Sequence, residues 1–313
     1  MTRHSAAAIV VVAIATTGGG ILLYRAWKRQ HHTRTHVLED MPHQVGGHSC
    51  DKTSLKVYQG RVLKPFQTKN RGETELAFYE RIASRSLPYF PVFYGVVELP
   101  SSQELRRYLQ LEDLLSGMTQ PCIMDVKIGT HSYDPTATPA KIDLEAAKCP
   151  LQAIMGFRLQ GIKVYWDTTG QFHDYDKHYF RALTTEDAIE DSFARYFENG
   201  HHEARSKHLQ IAARADRVVQ FLRKIKRIRA WIATQTEFQF IASSLLFVYD
   251  ASNAASVDVR FIDFAHVQFD QGKVDTGVLV GLDRILCIFR HLLDSIELPS
   301  SRREAMLVDD VQD

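Results

Sequence analysis

Pro121-Cys122-Ile123-Met124-Asp125-Val126-Lys127-Ile128-Gly129 puts a carboxylate and an ammonium two residues apart in a short apolar run. In a strand, positions i and i+2 leave the same face, so Asp125 and Lys127 are expected to project together as a positioned pair. Buried charges persist only when paired, or when they meet a charged ligand or metal. The spacing alone leaves an internal salt bridge and a ligand site both open. A second stretch, Ile262-Asp263-Phe264-Ala265-His266, favours the ligand site. Asp263 closes a Val-Arg-Phe-Ile strand pattern and is a further half-buried carboxylate, as a magnesium ligand beside a phosphate would be.

Taken in order, Pro121-x-x-x-Asp125-x-Lys127-x-Gly129, Ser243-Ser244-Leu245-Leu246 and Ile262-Asp263-Phe264 resemble the motif series of the inositol polyphosphate kinase family. Lys127 through Pro135, and Asp263-Phe264-Ala265-His266, look most like its multikinase branch. The resemblance spans roughly residues 55–294. It implies an α/β (α+β) fold of two lobes, with an antiparallel N-lobe sheet over residues 55–120 and a larger C-lobe over 121–296. It also implies ATP and Mg2+ as cofactors. The implied substrates are soluble inositol phosphates, from inositol 1,4,5-trisphosphate to the tetrakis- and pentakisphosphate. By the same resemblance Lys64 meets the ATP phosphates, Asp125 bonds the ribose, and backbone groups around Glu112 and Leu114 read the adenine edge. Ser244 lies beside the metal, which Asp263 holds with help from Asp125 or Ser244. Lys127 and Lys141 reach the inositol phosphate, and Lys177 sits where relatives place a substrate-facing polar residue. Asp143 and Glu145 stand where glutamines are expected in close multikinases. Two other readings stay open. One is a hexakisphosphate kinase, against which the Ser-Tyr-Asp-Pro run counts. The other is a membrane-tethered binding protein for inositol phosphates or phosphoinositide lipid, against which the joint presence of Lys64, Asp125, Lys127 and Asp263 counts.

The residues carry part of this reading on their own. Lys64 ends an apolar alternation after a Gly60 turn, as a phosphate-binding lysine on a small sheet would, although an exposed edge lysine has the same pattern. No Walker A or Gly-x-Gly-x-x-Gly sequence occurs, so nucleotide binding must rest on Lys64 and the later carboxylates. Residues 72–87 have an acidic first turn and helical apolar spacing, and either Glu75 or Glu80 is placed to pair with Lys64. Thr138-Pro139 has the look of a helix start, with Lys141 and Lys148 seven apart on one face. A hairpin is expected around 166–170, and a helix capped by Thr185 after it. Residues 204–234 form an amphipathic helix whose basic side is either solvated, lipid-facing or a nuclear signal. Two serines before a β-run place Ser244 near Asp263 across a hairpin. His266 can orient a hydroxyl or bind a phosphate, or can be a hydrogen-bonded core histidine. Residues 279–296 form a closing core helix.

Length and composition set the frame. The 313 residues, 45% hydrophobic and 24% charged, suit one large domain or two lobes. A net charge of +1 points to no nucleic-acid partner, so affinity for polyanions must be local. Four widely spaced cysteines without Cys-x-x-Cys argue against zinc and against a disulfide framework. A monomer is expected. Residues 6–24 hold nineteen uncharged residues followed by a basic flank. About 20 apolar residues span a bilayer, so residues 1–27 are expected to be a transmembrane anchor with the kinase domain facing the cytosol. A cleaved signal or mitochondrial presequence is the alternative, and the mitochondrial outer membrane or a nuclear and cytoplasmic site are the other locations. Residues 28–54 read as a flexible linker whose histidines are solvated, and 297–313 as a polar tail.

Overall fold

In the computed structural model, residues 38–45, 54–100, 105–199 and 207–298 are described. Two five-stranded antiparallel sheets organise them. The first is built from β1 (Glu39–Asp40), β2 (Lys56–Tyr58), β3 (Arg61–Pro65), β4 (Phe93–Pro100) and β5 (Leu105–Glu112), in the order β1-β2-β3-β5-β4. Helix α1 (Arg71–Ile82) follows β3. The second sheet holds β6 (Pro121–Ile128), β7 (Phe157–Trp166), β8 (Gln171–Tyr175), β10 (Ser244–Asp250) and β11 (Asn253–Ile262), in the order β11-β10-β6-β7-β8. A small ribbon pairs β9 (Phe238–Gln239) with β12 (Gln268–Phe269). The helices of this half are α2 (Pro139–Ala146), α3 (Gln152–Met155), α4 (Lys177–Arg181), α5 (Glu186–Arg195), α6 (Lys207–Thr234) and α7 (Thr276–Asp294).

The two-residue period of β6 explains the layering. Cys122, Met124, Val126 and Ile128 are each fully buried and join one core with Val218, Phe221 and Ile225 of α6 and Leu282, Ile285 and Phe289 of α7. The other face of the strand carries Ile123, Asp125 and Lys127. In register beside them stand Leu246 and Ser244 of β10, and Lys163, Gly161 and Arg158 of β7. Strand β6 thus sends its even-numbered apolar side chains to the helices and carries Asp125 and Lys127 on its other face. The first sheet is held to this cleft by α1. Phe78 stacks on Phe264 at 4.0 Å between ring centroids and also meets Phe90, Phe238 and Phe240 edge-on. Aromatic burial of this kind fixes the helix between the two sheets.

Several expectations change. The first helix ends at Ile82 rather than running to 87. The expected linker is not uniformly solvated. Leu38 packs on the Tyr58–Leu63–Leu99–Tyr108 cluster, Met41 N–H donates to Leu55 O at 3.2 Å, and the His43 ring lies 4.8 Å from Phe172 of β8. Residues 38–45 therefore touch both sheets. Backbone pairing over two residues leaves no apolar period to read, which is why the sequence showed only polarity. The other linker histidines, His31, His32, His36 and His48, lie outside the described residues. On α6 the basic side is not simply solvated. Arg217 is buried, donates to Asn199 Oδ1 (3.1 Å) and the carbonyls of Asp250 and Ala251 (3.3 and 2.9 Å), and lies over the Tyr249 ring. Lys224 and Arg229 pair with Asp258 and Asp283 at 2.9 and 2.8 Å. Among the described residues no helix is long and apolar enough to cross a membrane. The expected anchor at 1–27 lies outside them.

Candidate active site

Lys64 leaves β3 into the cleft and donates to Glu75 Oε1 at 2.7 Å and Asp263 Oδ1 at 2.5 Å. Burial alone would depress this lysine, but the two carboxylates hold it charged and raise its pKa. Of the two candidate glutamates, Glu75 is the partner. It is 1% exposed and also accepts from Phe264 N–H at 3.1 Å. One carboxylate thus ties β3 and α1 to the turn after β11. At that turn Asp263 has φ 67°, a left-handed conformation uncommon for a side-chain-bearing residue and frequent at functional positions. The chain reverses there, so that Asp263 faces Lys64 while Phe264 enters the aromatic core. Burial pushes the Asp263 carboxyl up, but the Lys64 charge and hydrogen bond bring it below the ordinary carboxylate value.

Asp125 and Lys127 share a face without forming an ion pair. Lys127 Nζ donates to Ala242 O at 2.8 Å, and burial lowers its pKa. Asp125 is 5% exposed, with Oδ1 buried and lacking a hydrogen-bond partner. Its pKa is pushed up to about 7 by burial and by the Asp263 charge, against the pull of Lys127, Ser244 and Lys64. Ser244 Oγ, in register with Lys127 and near enough to pull on the Asp125 carboxyl, is also buried with no partner in hydrogen-bond geometry. Buried polar atoms are almost always satisfied, so unpaired oxygens beside two lysines point to partners that arrive with a ligand. Among the described residues no group of three or more His, Cys, Asp or Glu is placed to hold a metal by itself. Magnesium takes one or two carboxylates plus phosphate oxygens and water, and Asp263 with Asp125 fits that demand.

The raised Asp125 carboxyl gives a pH prediction. The folded protein binds a proton there that the unfolded chain, with its ordinary value of 3.8, releases sooner. The stabilisation is complete below about pH 4 and is lost as pH rises through about 7, an effect on the order of a few kcal/mol. Asp125→Asn should flatten the fall in melting temperature of the ligand-free protein between pH 4 and 8. A slope identical to the wild type would contradict this assignment.

The other expected positions divide. His266 Nδ1 lies 2.8 Å from Asp134 Oδ2, and the ring is close enough to Asp263 to lie at the same end of the cleft. The sequence run containing Asp134 was visible, but nothing local linked it to His266. Glu112 is tied into the first sheet through its N–H, which bonds Val92 O at 2.8 Å, and its carboxylate, which accepts from Val92 N–H and from Arg260. These bonds involve neither its carbonyl nor the backbone at Leu114. Thr138 caps α2 as expected, and Lys141 is exposed on it. Lys148 lies past the end of α2 at Ala146 and pairs with Glu145 at 2.5 Å, so the seven-residue spacing does not put it on the helix face with Lys141. Lys177, on α4, lines a 390 Å³ cavity with Gln44, Gln160, Gly161 and Lys163. Gly161 is the cross-strand partner of Asp125, but Asp125 itself does not line this cavity. Arg158, missed in the sequence, stands opposite Lys127 in register and is 7% exposed.

Comparison with known proteins adds to the geometry. A family model described as inositol polyphosphate kinase matches residues 108–290. The inositol polyphosphate multikinase of Homo sapiens is 36% identical over 225 residues, covering 68% of this chain and 51% of that protein. Inositol polyphosphate multikinase IPK2 of Oryza sativa subsp. indica is 31% identical over 269 residues, covering 77% and 89%. The chain spans about half the length of the mammalian relatives it matches. The crystal structure of inositol phosphate multikinase Ipk2 from S. cerevisiae, in complex with ADP and Mn2+, shares the fold at a TM-score of 0.61 and 24% identity, covering 74% of this chain and 99% of that one.

Proposed function

The chain belongs to the inositol polyphosphate kinase family, and from that premise we propose that it transfers the γ-phosphate of ATP to soluble inositol polyphosphates, beginning with inositol 1,4,5-trisphosphate. The observation that carries this reading is the convergence of Lys64, Asp125, Lys127 and Asp263 on one cleft between the two sheets, with buried, unpaired oxygens on Asp125 and Ser244 on its wall. A scaffold that only bound an inositol phosphate would have no use for the carboxylates, which repel phosphate.

Phosphoryl transfer asks a protein mainly for positioning and fixed charge. Lys64, held by Glu75, presents an ammonium to the ATP phosphates from the first sheet. Asp125 faces the ribose. The backbone at Leu114 borders the adenine. Lys127, on the second sheet, supplies a partly desolvated cation where charge moves between donor and acceptor oxygens, and there it acts in a low-dielectric setting. Mg2+ at Asp263 and Asp125 would neutralise the phosphate charge. His266, fixed by Asp134, is placed to orient the accepting hydroxyl, while Lys141 and Lys177 border the acceptor. The anchor at residues 1–27, the cytosolic orientation and use of phosphoinositide lipid belong to the same proposal, supported by the apolar run and its basic flank.

The test offers the full chain Mg-ATP with inositol trisphosphate, inositol hexakisphosphate or phosphoinositide micelles, and resolves the products by anion exchange or, for lipid, by extraction. Tetrakis- and pentakisphosphate from the trisphosphate support the reading. Product from the hexakisphosphate alone moves the chain to pyrophosphate synthesis, and binding without product from any acceptor moves it to the scaffold reading.

A further inference from the structure

Glu145 sits in the last turn of α2, where its side chain is only 11% exposed. One carboxylate oxygen accepts from Lys148 Nζ at 2.5 Å, and the other lies 3.4 Å from an Arg158 guanidinium nitrogen. Arg158 also reaches the Glu145 carbonyl at 3.5 Å. Burial pushes the Glu145 carboxyl up, but the two cations bring it below its ordinary value, so it is a carboxylate at neutral pH. The cluster is part of the cleft. Arg158 pairs in register with Lys127, and the charges of both Arg158 and Glu145 act on Lys127. Arg181 adds positive charge close to Arg158. Glu145 thus stands directly against Arg158 and Lys148 and near Lys127, where a phosphate group would otherwise find at least three cations.

We propose that Glu145 is a built-in counter-anion that limits how many phosphates the acceptor carries. By holding Lys148 and Arg158 it occupies the position of an acceptor phosphate at the α2 end of the cleft. An inositol phosphate with a hydroxyl facing Glu145 is accepted and can bond to the carboxylate. One with a further phosphate there meets a buried negative charge and two cations already engaged, a like-charge contact that opposes binding. The inference deepens the kinase reading by assigning the preference for less phosphorylated acceptors to one residue. Specificity of this kind is a difference between two affinities, so its test compares ligands and not only variants.

The experiment measures, by calorimetry at fixed salt with Mg-ADP present, the Kd of inositol trisphosphate and inositol hexakisphosphate for the full-length wild type, Glu145→Gln, and Glu145→Gln combined with Lys148→Gln. Glutamine keeps the shape and loses the charge. Glu145→Gln should tighten hexakisphosphate at least about tenfold more than trisphosphate, and the added Lys148→Gln should remove most of that gain. In turnover the gain should appear in KM rather than kcat. A merely structural counter-ion would weaken both ligands alike and lower the melting temperature. An unchanged ratio of the two Kd values, or a loss common to both, overturns the proposal. If the wild type binds both ligands but phosphorylates neither, the kinase reading fails while the Kd ratio still decides the role of Glu145.

Discussion

Asp263→Asn should reduce phosphoryl transfer by about a thousandfold or more while leaving the protein folded. The substitution is unusually clean at this position. Asp263 adopts φ 67°, and asparagine is among the few side chains that tolerate the left-handed region. The turn that sends Phe264 into the aromatic core is therefore kept, as is the Phe264 N–H bond to Glu75. What disappears is one negative charge, 2.5 Å from Lys64 and close enough to raise the Asp125 carboxyl. That charge is the best-exposed carboxylate of the cleft for a metal, and a neutral amide is a poor magnesium ligand. Lys64 would keep Glu75 as a partner at 2.7 Å, so the lysine stays charged and in place. Initial rates at saturating Mg-ATP, beside a thermal melt, test this. Turnover within tenfold of the wild type would remove Asp263 from the chemistry.

The largest effect on stability is expected from Gly281→Val. Helix α7 crosses the corner of the second sheet at a point where two glycines touch. A Cβ on Gly281 would stand 2.1 Å from Gly156 O and 2.5 Å from Ile128 Cδ1, and one on Gly156 would stand 2.3 Å from Gly281 N. These neighbours are mostly backbone and cannot rotate away. Gly156 also has φ +72°, which side chains rarely adopt. The same Gly156 carbonyl accepts from Gly129 N–H at 2.7 Å, closing the turn directly after Lys127. Valine must therefore push α7 off the sheet, open the Gly129 turn, or both. The expected cost is about 3 kcal/mol, at the upper end for overpacking, and a large part of the stability of an ordinary domain. Urea denaturation measures it, and a loss below about 1 kcal/mol would mean that the helix does not sit this close.

The two predictions differ in how far the sequence alone reached. Asp263, Asp125 and Lys127 were legible because a strand of period two projects alternate residues on one face. Charges within an apolar run stand out against that pattern. Hairpins, caps and helix starts at Gly60, Thr138 and Thr185 were legible for the same reason, being written in neighbouring residues. The Gly156–Gly281 contact was not, since its two halves are 125 positions apart and a glycine in a helix gives no sign of what it faces. The pairing of Glu145 with Arg158, of Asp134 with His266, and of Arg217 with the turn carbonyls at Asp250 and Ala251 was hidden in the same way. Each joins side chains from separate elements. Lys148 shows the opposite limit: its helical spacing from Lys141 carries no sign that α2 ends at Ala146, beyond which the residue turns to Glu145. The packing of His43 on Phe172 is invisible in the sequence because one packed ring among polar neighbours leaves no period.

A single-turnover experiment tests the central claim most directly. The full-length protein, in excess over γ-labelled ATP, is mixed with Mg2+ and inositol 1,4,5-trisphosphate, quenched over time, and analysed for both ADP and labelled inositol phosphates. If the cleft formed by Lys64, Asp125, Lys127 and Asp263 transfers phosphate to the inositol, ADP and labelled inositol tetrakisphosphate appear together in equal amounts. Label in inorganic phosphate alone, or ATP left intact while inositol trisphosphate is bound, would contradict the assignment of this cleft to inositol phosphorylation.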